Sequence, residues 1–198
     1  MKILSHEQGT DDWLASRIGR PSASQFSRLI TTSGKPSGSA SKYIDQMVIE
    51  RLSGKSEPIF VSHHMERGTE LEPEAKSYYE MLTGYDVTEV GFILDDSEEF
   101  GCSPDGLVVV DGKIVSGLEI KCPADNTMLS YIEDPMKGVK KYWQQIQGCM
   151  MVTGSETWDF LAYHPEMEHV LVTVEHDHEF TEQLYEEIVK AVNIINQE

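Results

Sequence analysis

Cys102-Ser103-Pro104-Asp105-Gly106-Leu107-Val108-Val109-Val110, a turn at Asp111-Gly112, and a return through Leu118-Glu119-Ile120-Lys121-Cys122-Pro123 read as a β-hairpin. Asp-Gly between valine-rich arms signals a two-residue type I′ turn, in which both central residues need positive φ. Pro123 has no N–H to give a ladder and ends the return strand. Glu119 and Lys121 are two apart, so they share one face of that strand. An acid and an amine on one face, with Asp105 on the neighbouring strand, could hold a divalent cation and orient a water beside it. A solvated cross-strand ion pair, worth little to stability, is the competing reading.

Register separates the two. A simple turn at Asp111-Gly112 pairs Val110 with Lys113, sets Asp105 opposite Leu118 and leaves Glu119 on the other face. One extra residue in the return strand, a β-bulge placed at Ser116-Gly117, would bring both carboxylates to the same side. The metal reading requires that irregularity.

The chain of 198 residues is long enough for one domain, residues 1–198, with a buried core. Its 39% apolar and 25% charged residues place it among soluble globular proteins. No apolar run reaches membrane-spanning length, and Met1-Lys2-Ile3-Leu4 passes at once into polar residues, so neither a span nor a signal peptide is expected. Three cysteines without C-x-x-C spacing suit reduced thiols in a cytosol and cannot ligate an iron-sulfur cluster by four thiolates. The net charge of −18 argues against a polyanionic partner until its distribution is considered. Residues 1–60 hold 8 Lys/Arg against 6 Asp/Glu, whereas residues 61–198 hold 8 against 28. An acidic exterior disfavours nonspecific adhesion to DNA, while local basic groups can still grip a strand in a groove.

Thr10 caps a short helix that begins at Asp11-Asp12 and stops at Gly19-Arg20-Pro21. Ser22-Ala23-Ser24-Gln25 fits a capping box opening a second helix through Phe26, Leu29 and Ile30. Its start, with the Ser24 hydroxyl and nearby Arg17, makes a candidate phosphate seat. A Ser/Gly/Pro-rich loop from Thr31 to Ser39, the most flexible-looking in the chain, carries the basic Lys35, and a third helix runs from Ala40 to Leu52. A long helix from His63 to Leu82 is expected to kink at Pro73, and Glu72, between Leu71 and Ala75, is the carboxylate aimed inward. His63 and His64 read as surface residues. Val87 to Leu94 reads as a strand, and Lys137 to Val152 as one helix that sets Lys141 and Gln145 on one face. Strands from Trp158 to Tyr163 and His169 to Glu175 and a helix from Phe180 to Ile195 complete the chain; His176-Asp177-His178 reads as a solvated turn. Helices flanking a central mixed β-sheet make the fold α/β or α+β.

Trp13 with Arg17, Gly19 to Ser24, Gly68 with Glu72, Cys102-Ser-Pro-Asp105-Gly, Leu118-Glu-Ile-Lys-Cys-Pro123 and Gln145-x-Gln147 together resemble the lambda exonuclease family of YqaJ-type viral recombinases. That group lies within the PD-(D/E)xK nuclease superfamily, whose restriction-endonuclease-like core has Pro104-Asp105 and Glu119-x-Lys121 as its counterparts here. The resemblance implies a Mg²⁺-dependent, processive exonuclease, with Mn²⁺ as a substitute. It would digest one strand of linear duplex DNA from the 5′ end, release mononucleotides and leave a 3′ overhang. It further implies a ring-shaped homotrimer, a single-strand annealing protein as partner in phage-type recombination, and a phage or prophage origin with action in the bacterial cytoplasm. Residue by residue, Asp105, Glu119, the Ile120 carbonyl and Glu72 would hold metal, Lys121 would activate the attacking water and Gln145 would position it. Arg17 and Ser24 would take the 5′-phosphate, and Lys35 and Lys141 would contact DNA. Two alternatives stay open: another nuclease of the superfamily, such as an endonuclease or repair subunit, and a catalytically silent DNA-binding module of the same fold.

Overall fold

The computed structural model describes residues 1–56 and 63–197, with backbone alone at residues 63–65. The side chains of His63 and His64 lie outside the described residues, so their expected exposure stays an expectation. In chain order the elements are β1 (Lys2–Ile3), α1 (Asp11–Arg17), a 3-10 helix (Ala23–Arg28), α2 (Ala40–Ser53), α3 (His63–Thr83), β2 (Val87–Thr88), β3 (Ile93–Leu94) and β4 (Gly101–Cys102). These are followed by β5 (Gly106–Val110), β6 (Lys113–Lys121), α4 (Asp125–Glu133), α5 (Pro135–Lys141), α6 (Trp143–Thr153), β7 (Thr157–Ala162), β8 (Val170–Glu175) and α7 (His178–Ile195).

The hairpin of β5 and β6 turns at Asp111 and Gly112, where φ is 51° and 75°, the left-handed pair that a type I′ turn demands. It anchors a five-stranded sheet in the order β2-β5-β6-β7-β8. β5 and β6 are antiparallel, β6 and β7 parallel, and β7 and β8 antiparallel, so the sheet is mixed. The parallel step needs a crossover, which α4, α5 and α6 provide. A smaller sheet, β1-β3-β4, lies apart from it in the hydrogen-bonding pattern.

Side-chain alternation divides the core between the two faces of the large sheet. On one face Ala75 and Tyr79 of α3 pack with Val108, Leu118, Ile120, Leu161 and Tyr163. The other face contributes Leu107, Trp158 and Phe160 to a larger cluster that includes Ile146, Cys149 and Met150 of α6 and Leu184 and Ile188 of α7. With helices on both faces, the central strand β6 is buried without interruption from Ser116 to Ile120. Among the described residues no helix is long and apolar enough to cross a membrane.

The bulge is present. Val110 pairs with Lys113 and Val109 with Ile114, but Val108 pairs with Ser116, Leu107 with Gly117 and Gly106 with Leu118. The extra residue is therefore Val115, just ahead of the expected Ser116-Gly117. Gly117 has its own reason to be glycine, because a Cβ there would lie 2.2 Å from the ring of the fully buried Trp158.

Four expectations about elements need correction. The single strand from Val87 to Leu94 is two strands in different sheets, parted at Gly91, where the His6 carbonyl approaches to 1.9 Å of the position a Cβ would take. The helix after Ser22 is 3-10, and Ser22 makes no side-chain cap; its hydroxyl instead accepts a 3.2 Å hydrogen bond from Arg17. The long helix from Lys137 breaks at Tyr142, where φ is −111° and ψ 16° and the ring stacks on Phe160 with centroids 6.0 Å apart. The Thr31–Ser39 loop is not loose at its base: the Thr31 N–H donates to the Lys35 carbonyl at 2.8 Å and the Ser37 N–H to the Leu29 carbonyl at 2.8 Å. α3 continues through Pro73 as one helical span.

Gly117→Ala is expected to destabilise the fold by about 2 kcal/mol or more through overpacking against Trp158, read as a lower urea midpoint with unchanged slope.

Candidate active site

The displaced register places Asp105, one residue before β5, across from Glu119 on β6. Asp105 is held at both ends of its own residue: its N–H donates to the Leu118 carbonyl at 3.2 Å, and its Oδ2 accepts the Ile120 N–H at 2.6 Å. Glu119 is fully buried. Its Oε1 accepts from the Gln145 side-chain amide at 2.7 Å and pairs with the Lys121 ammonium. Its Oε2 is also shielded from solvent and has no hydrogen-bond partner among the described residues. Lys121 Nζ lies 4.8 Å from the centre of the Tyr142 ring, a cation–π contact that steadies it beside the carboxylate. Glu72 arrives from α3. That helix is clipped to the end of β6 by Arg67, whose Nη1 donates to the Cys122 and Pro123 carbonyls at 2.6 and 2.8 Å.

The three acids perturb one another electrostatically. Burial raises the pKa of Glu119, and Asp105 and Glu72 add to the rise while Lys121 opposes it. Burial likewise raises Asp105, against the pull of Lys121, the Ile120 N–H and Lys76. Glu72 is raised by burial and then by Asp105. Burial works against the Lys121 ammonium, but Glu119 and Asp105 outweigh it and hold Lys121 above its ordinary value, so it stays charged. The cluster is thus short of positive charge and contains a buried oxygen with nothing to bind. Hard carboxylate oxygens suit a divalent cation such as Mg²⁺ or Mn²⁺, and Asp105 and Glu119, with Glu72 approaching from α3, are the residues here that could hold one.

Two cavities adjoin the cluster and share Thr69, Glu72 and Asp105 as a common wall. The first, about 560 Å³, is lined by Lys121, Tyr131, Lys141 and Tyr142. The second, about 540 Å³, is lined by His6, Gln8, Lys76 and Glu89. Lys141 Nζ lies 5.4 Å from the Tyr142 ring centre, so both Lys121 and Lys141 lie against that ring.

Arg17 stands apart from the carboxylates in the contacts it makes. Its guanidinium lies 4.2 Å from the Trp13 ring centre and 5.9 Å from that of Phe92, and it makes no ion pair among the described residues. Burial pulls its pKa down, with Tyr43 and Glu50 opposing. A half-buried cation held by rings and one hydroxyl is a ready receptor for an anion. The serine it meets is the buried Ser22, whereas Ser24 is exposed. Trp13 in turn donates from Nε1 to Ser103 Oγ at 3.0 Å, two residues before Asp105. Lys35 is exposed and lines neither cavity.

The structure therefore brings together Asp105, Glu119, Lys121, Gln145 and Glu72, sets Lys141 on an adjoining wall, and pairs Arg17 with Ser22. Sequence reading missed Tyr142, Arg67 and Ser22. Tyr142 lay inside an apparently continuous helix and Arg67 in a run of charged residues, with no local signal for either. Ser22 was in view but was assigned to a cap.

Residues 12–156 match the YqaJ-like viral recombinase domain. An alkaline exonuclease, LHK-Exo from Laribacter hongkongensis, superimposes with a TM-score of 0.83 at 32% identity over 95% of this chain and 93% of that one. The structure of LHK-Exo in complex with dAMP gives a TM-score of 0.82 at 30% identity, covering 95% and 93%. A phage-related exonuclease from Haemophilus somnus 129PT, at 15% identity and a TM-score of 0.74 over 90% and 94% of the two chains, shares the fold. No protein with a curated description matches the chain. The mixed α/β fold with two sheets flanked by helices is the PD-(D/E)xK type, and the chain belongs to the YqaJ-like viral recombinase family.

Proposed function

We propose that this protein is a divalent-metal-dependent exonuclease that degrades one strand of linear duplex DNA from its 5′ end. The observation that carries the reading is the bulge at Val115, which aligns Asp105 with Glu119 beside a charged Lys121 and leaves a buried Glu119 oxygen without a partner. The alkaline exonuclease LHK-Exo, similar over nearly the full length of both chains, and its complex with a nucleoside monophosphate support that class of reaction and product.

In this reading Asp105, Glu119, Glu72 and the Ile120 carbonyl hold Mg²⁺, or Mn²⁺ in its place. When bound, the ion lowers the pKa of an attached water and offsets charge on the scissile phosphate. Lys121 orients the attacking water and stabilises the hydroxide formed from it. Gln145, through its bond to Glu119 Oε1, keeps that carboxylate in place. Water oxygen bonds to phosphorus as the bond to the 3′ oxygen of the terminal nucleotide breaks. That oxygen gains a proton, and the shortened strand keeps a new 5′-phosphate. Arg17 receives the 5′-phosphate, with Ser22 and Trp13 fixing its guanidinium, and Ser24 at the same segment offers a further hydroxyl. Lys141 and Lys35 contact the DNA backbone. Each turnover regenerates the group that Arg17 recognises, which favours successive cleavage. The reading extends to residues 1–198 acting as one domain, a ring-shaped homotrimer, and a single-strand annealing protein that takes the exposed 3′ strand.

The test uses linear 5′-phosphorylated duplex, linear 5′-hydroxyl duplex and circular duplex with Mg²⁺. The wild type is expected to release mononucleotides from linear DNA alone and to stop with EDTA. Lys121→Ala should lower turnover by about 10²–10⁴-fold with DNA binding retained. Arg17→Ala should lose roughly tenfold or more of the preference for a 5′-phosphate. Cleavage of the circle would assign an endonuclease instead, and binding without cleavage by the wild type a silent module.

A second outcome follows from the raised carboxylates. Glu72, Asp105 and Glu119 have folded-state pKa values above their unfolded ones, so the metal-free folded chain retains protons that the unfolded chain releases. Their contribution to stability is fully present below the ordinary carboxylate pKa of about 4 and is lost as pH rises through the folded values. In EDTA, Tm should fall from about pH 5 to about pH 8 more steeply for wild type than for Glu119→Gln, and Mg²⁺ should raise Tm more at the higher pH.

A further inference from the structure

Away from the carboxylate cluster, three chain segments meet at Glu156, His176 and His178. Glu156 immediately precedes β7, His176 follows β8, and His178 begins α7. The meeting is enforced by backbone, since the His176 N–H donates to the Glu156 carbonyl at 3.0 Å. The two imidazole centroids are 4.1 Å apart and tilted by 36°. His178 Nε2 lies 3.1 Å from Glu156 Oε2. One nitrogen or oxygen from each of the three residues falls within 4.8 Å of the others, and no other histidine, cysteine and carboxylate group of this kind occurs among the described residues.

The Thr181 hydroxyl bears on the tautomer of His176. The Thr181 hydroxyl donates to the His178 carbonyl at 3.2 Å, so its oxygen is left to accept, and His176 Nε2 is 2.9 Å from it. In the tautomer that this arrangement accommodates, with the proton on Nε2, Nδ1 presents a lone pair. That Nδ1 is shielded from solvent and has no hydrogen-bond partner among the described residues. A histidine whose second nitrogen donates to a fixed acceptor, with the first left as a bare lone pair, is in the form that ligates metal.

We infer that Glu156, His176 and His178 form a second cation site, for a borderline transition-metal ion of the Zn²⁺ class. Two imidazoles and one carboxylate are the donor set such ions take, with a water completing four-fold coordination. The set differs in kind from the all-oxygen catalytic cluster, so Mg²⁺ would not compete for it. Ligand atoms around a tetrahedral ion with bonds of about 2.1 Å stand about 3.4 Å apart, so closure needs only small side-chain movements. The ion would tie the start of β7, the end of β8 and the start of α7 together. Its role is structural, and it is independent of the nuclease reading.

The test is titration of chelator-stripped protein with Co²⁺, followed by visible absorption, and with Zn²⁺, followed by calorimetry and Tm. Wild type and Asp105→Asn should each bind about one ion with the intense bands of tetrahedral Co²⁺, and Zn²⁺ should raise Tm in both. His178→Ala, at an exposed position that the core does not need, should abolish the bands and the Zn²⁺-induced rise. Thr181→Val should weaken Zn²⁺ by about 10–100-fold by freeing the His176 tautomer. Absence of the bands in wild type, their persistence in His178→Ala, or their loss in Asp105→Asn alone would overturn the assignment.

Discussion

The side of the sheet that Glu119 occupies depends on one extra residue. Without Val115 the ladder between β5 and β6 would run unbroken, and the carboxylates of Asp105 and Glu119 would lie on opposite faces of the sheet. With it, the two lie on one face, where Gln145 of α6 and Lys121 of β6 itself meet Glu119. The bulge is tolerated because it lies near the free end of the hairpin, where Val109, Val110 and Val115 are all exposed, while the buried part of β6 stays in register with β7 through five consecutive pairs. The local distortion is thus kept out of the core, and its effect on facing is delivered into it.

Burying Glu119 is costly, and the surroundings offset the cost unequally. Oε1 has an amide and an ammonium, while Oε2 has neither. A carboxylate fully satisfied by protein would be more stable and less able to take a cation. The same incompleteness holds at Arg17, which is sheltered by Trp13 and Phe92 and given only a serine hydroxyl. Both are sites where polar capacity exceeds what the chain itself uses.

Local chemistry in the hairpin was legible because it depends on neighbours in sequence: Asp111-Gly112 dictates the turn, and the two-residue period dictates the faces. The bulge could be inferred from the demand that Asp105 and Glu119 meet, but the residue that bears it could not. Errors arose wherever a distant contact overrode a local pattern. The Val87–Leu94 run looks like one strand until the His6 carbonyl presses on Gly91. Lys137 to Val152 looks like one helix until Tyr142 stacks on Phe160. Ser22 looks like a cap until Arg17 reaches it. The reading of His176-Asp177-His178 as a solvated turn stands for the backbone, but Glu156, twenty residues earlier in sequence and beside both rings in space, is invisible to local spacing.

α6 is gripped on two flanks. Gln145 donates to Glu119 on the sheet side, while Gln147 donates to the Glu175 carbonyl at 2.9 Å and accepts from the Asp177 N–H at 2.8 Å. Side chains two apart on a helix project about 200° from each other. The helix is therefore keyed like a shaft with pins on opposite sides: it cannot roll about its axis or slide by a turn without withdrawing one pin. Rotational freedom of α6 is removed by one fully buried amide, Gln147, and one half-buried one, Gln145, and the orientation of the Glu119 carboxylate inherits that rigidity from the far end of β8.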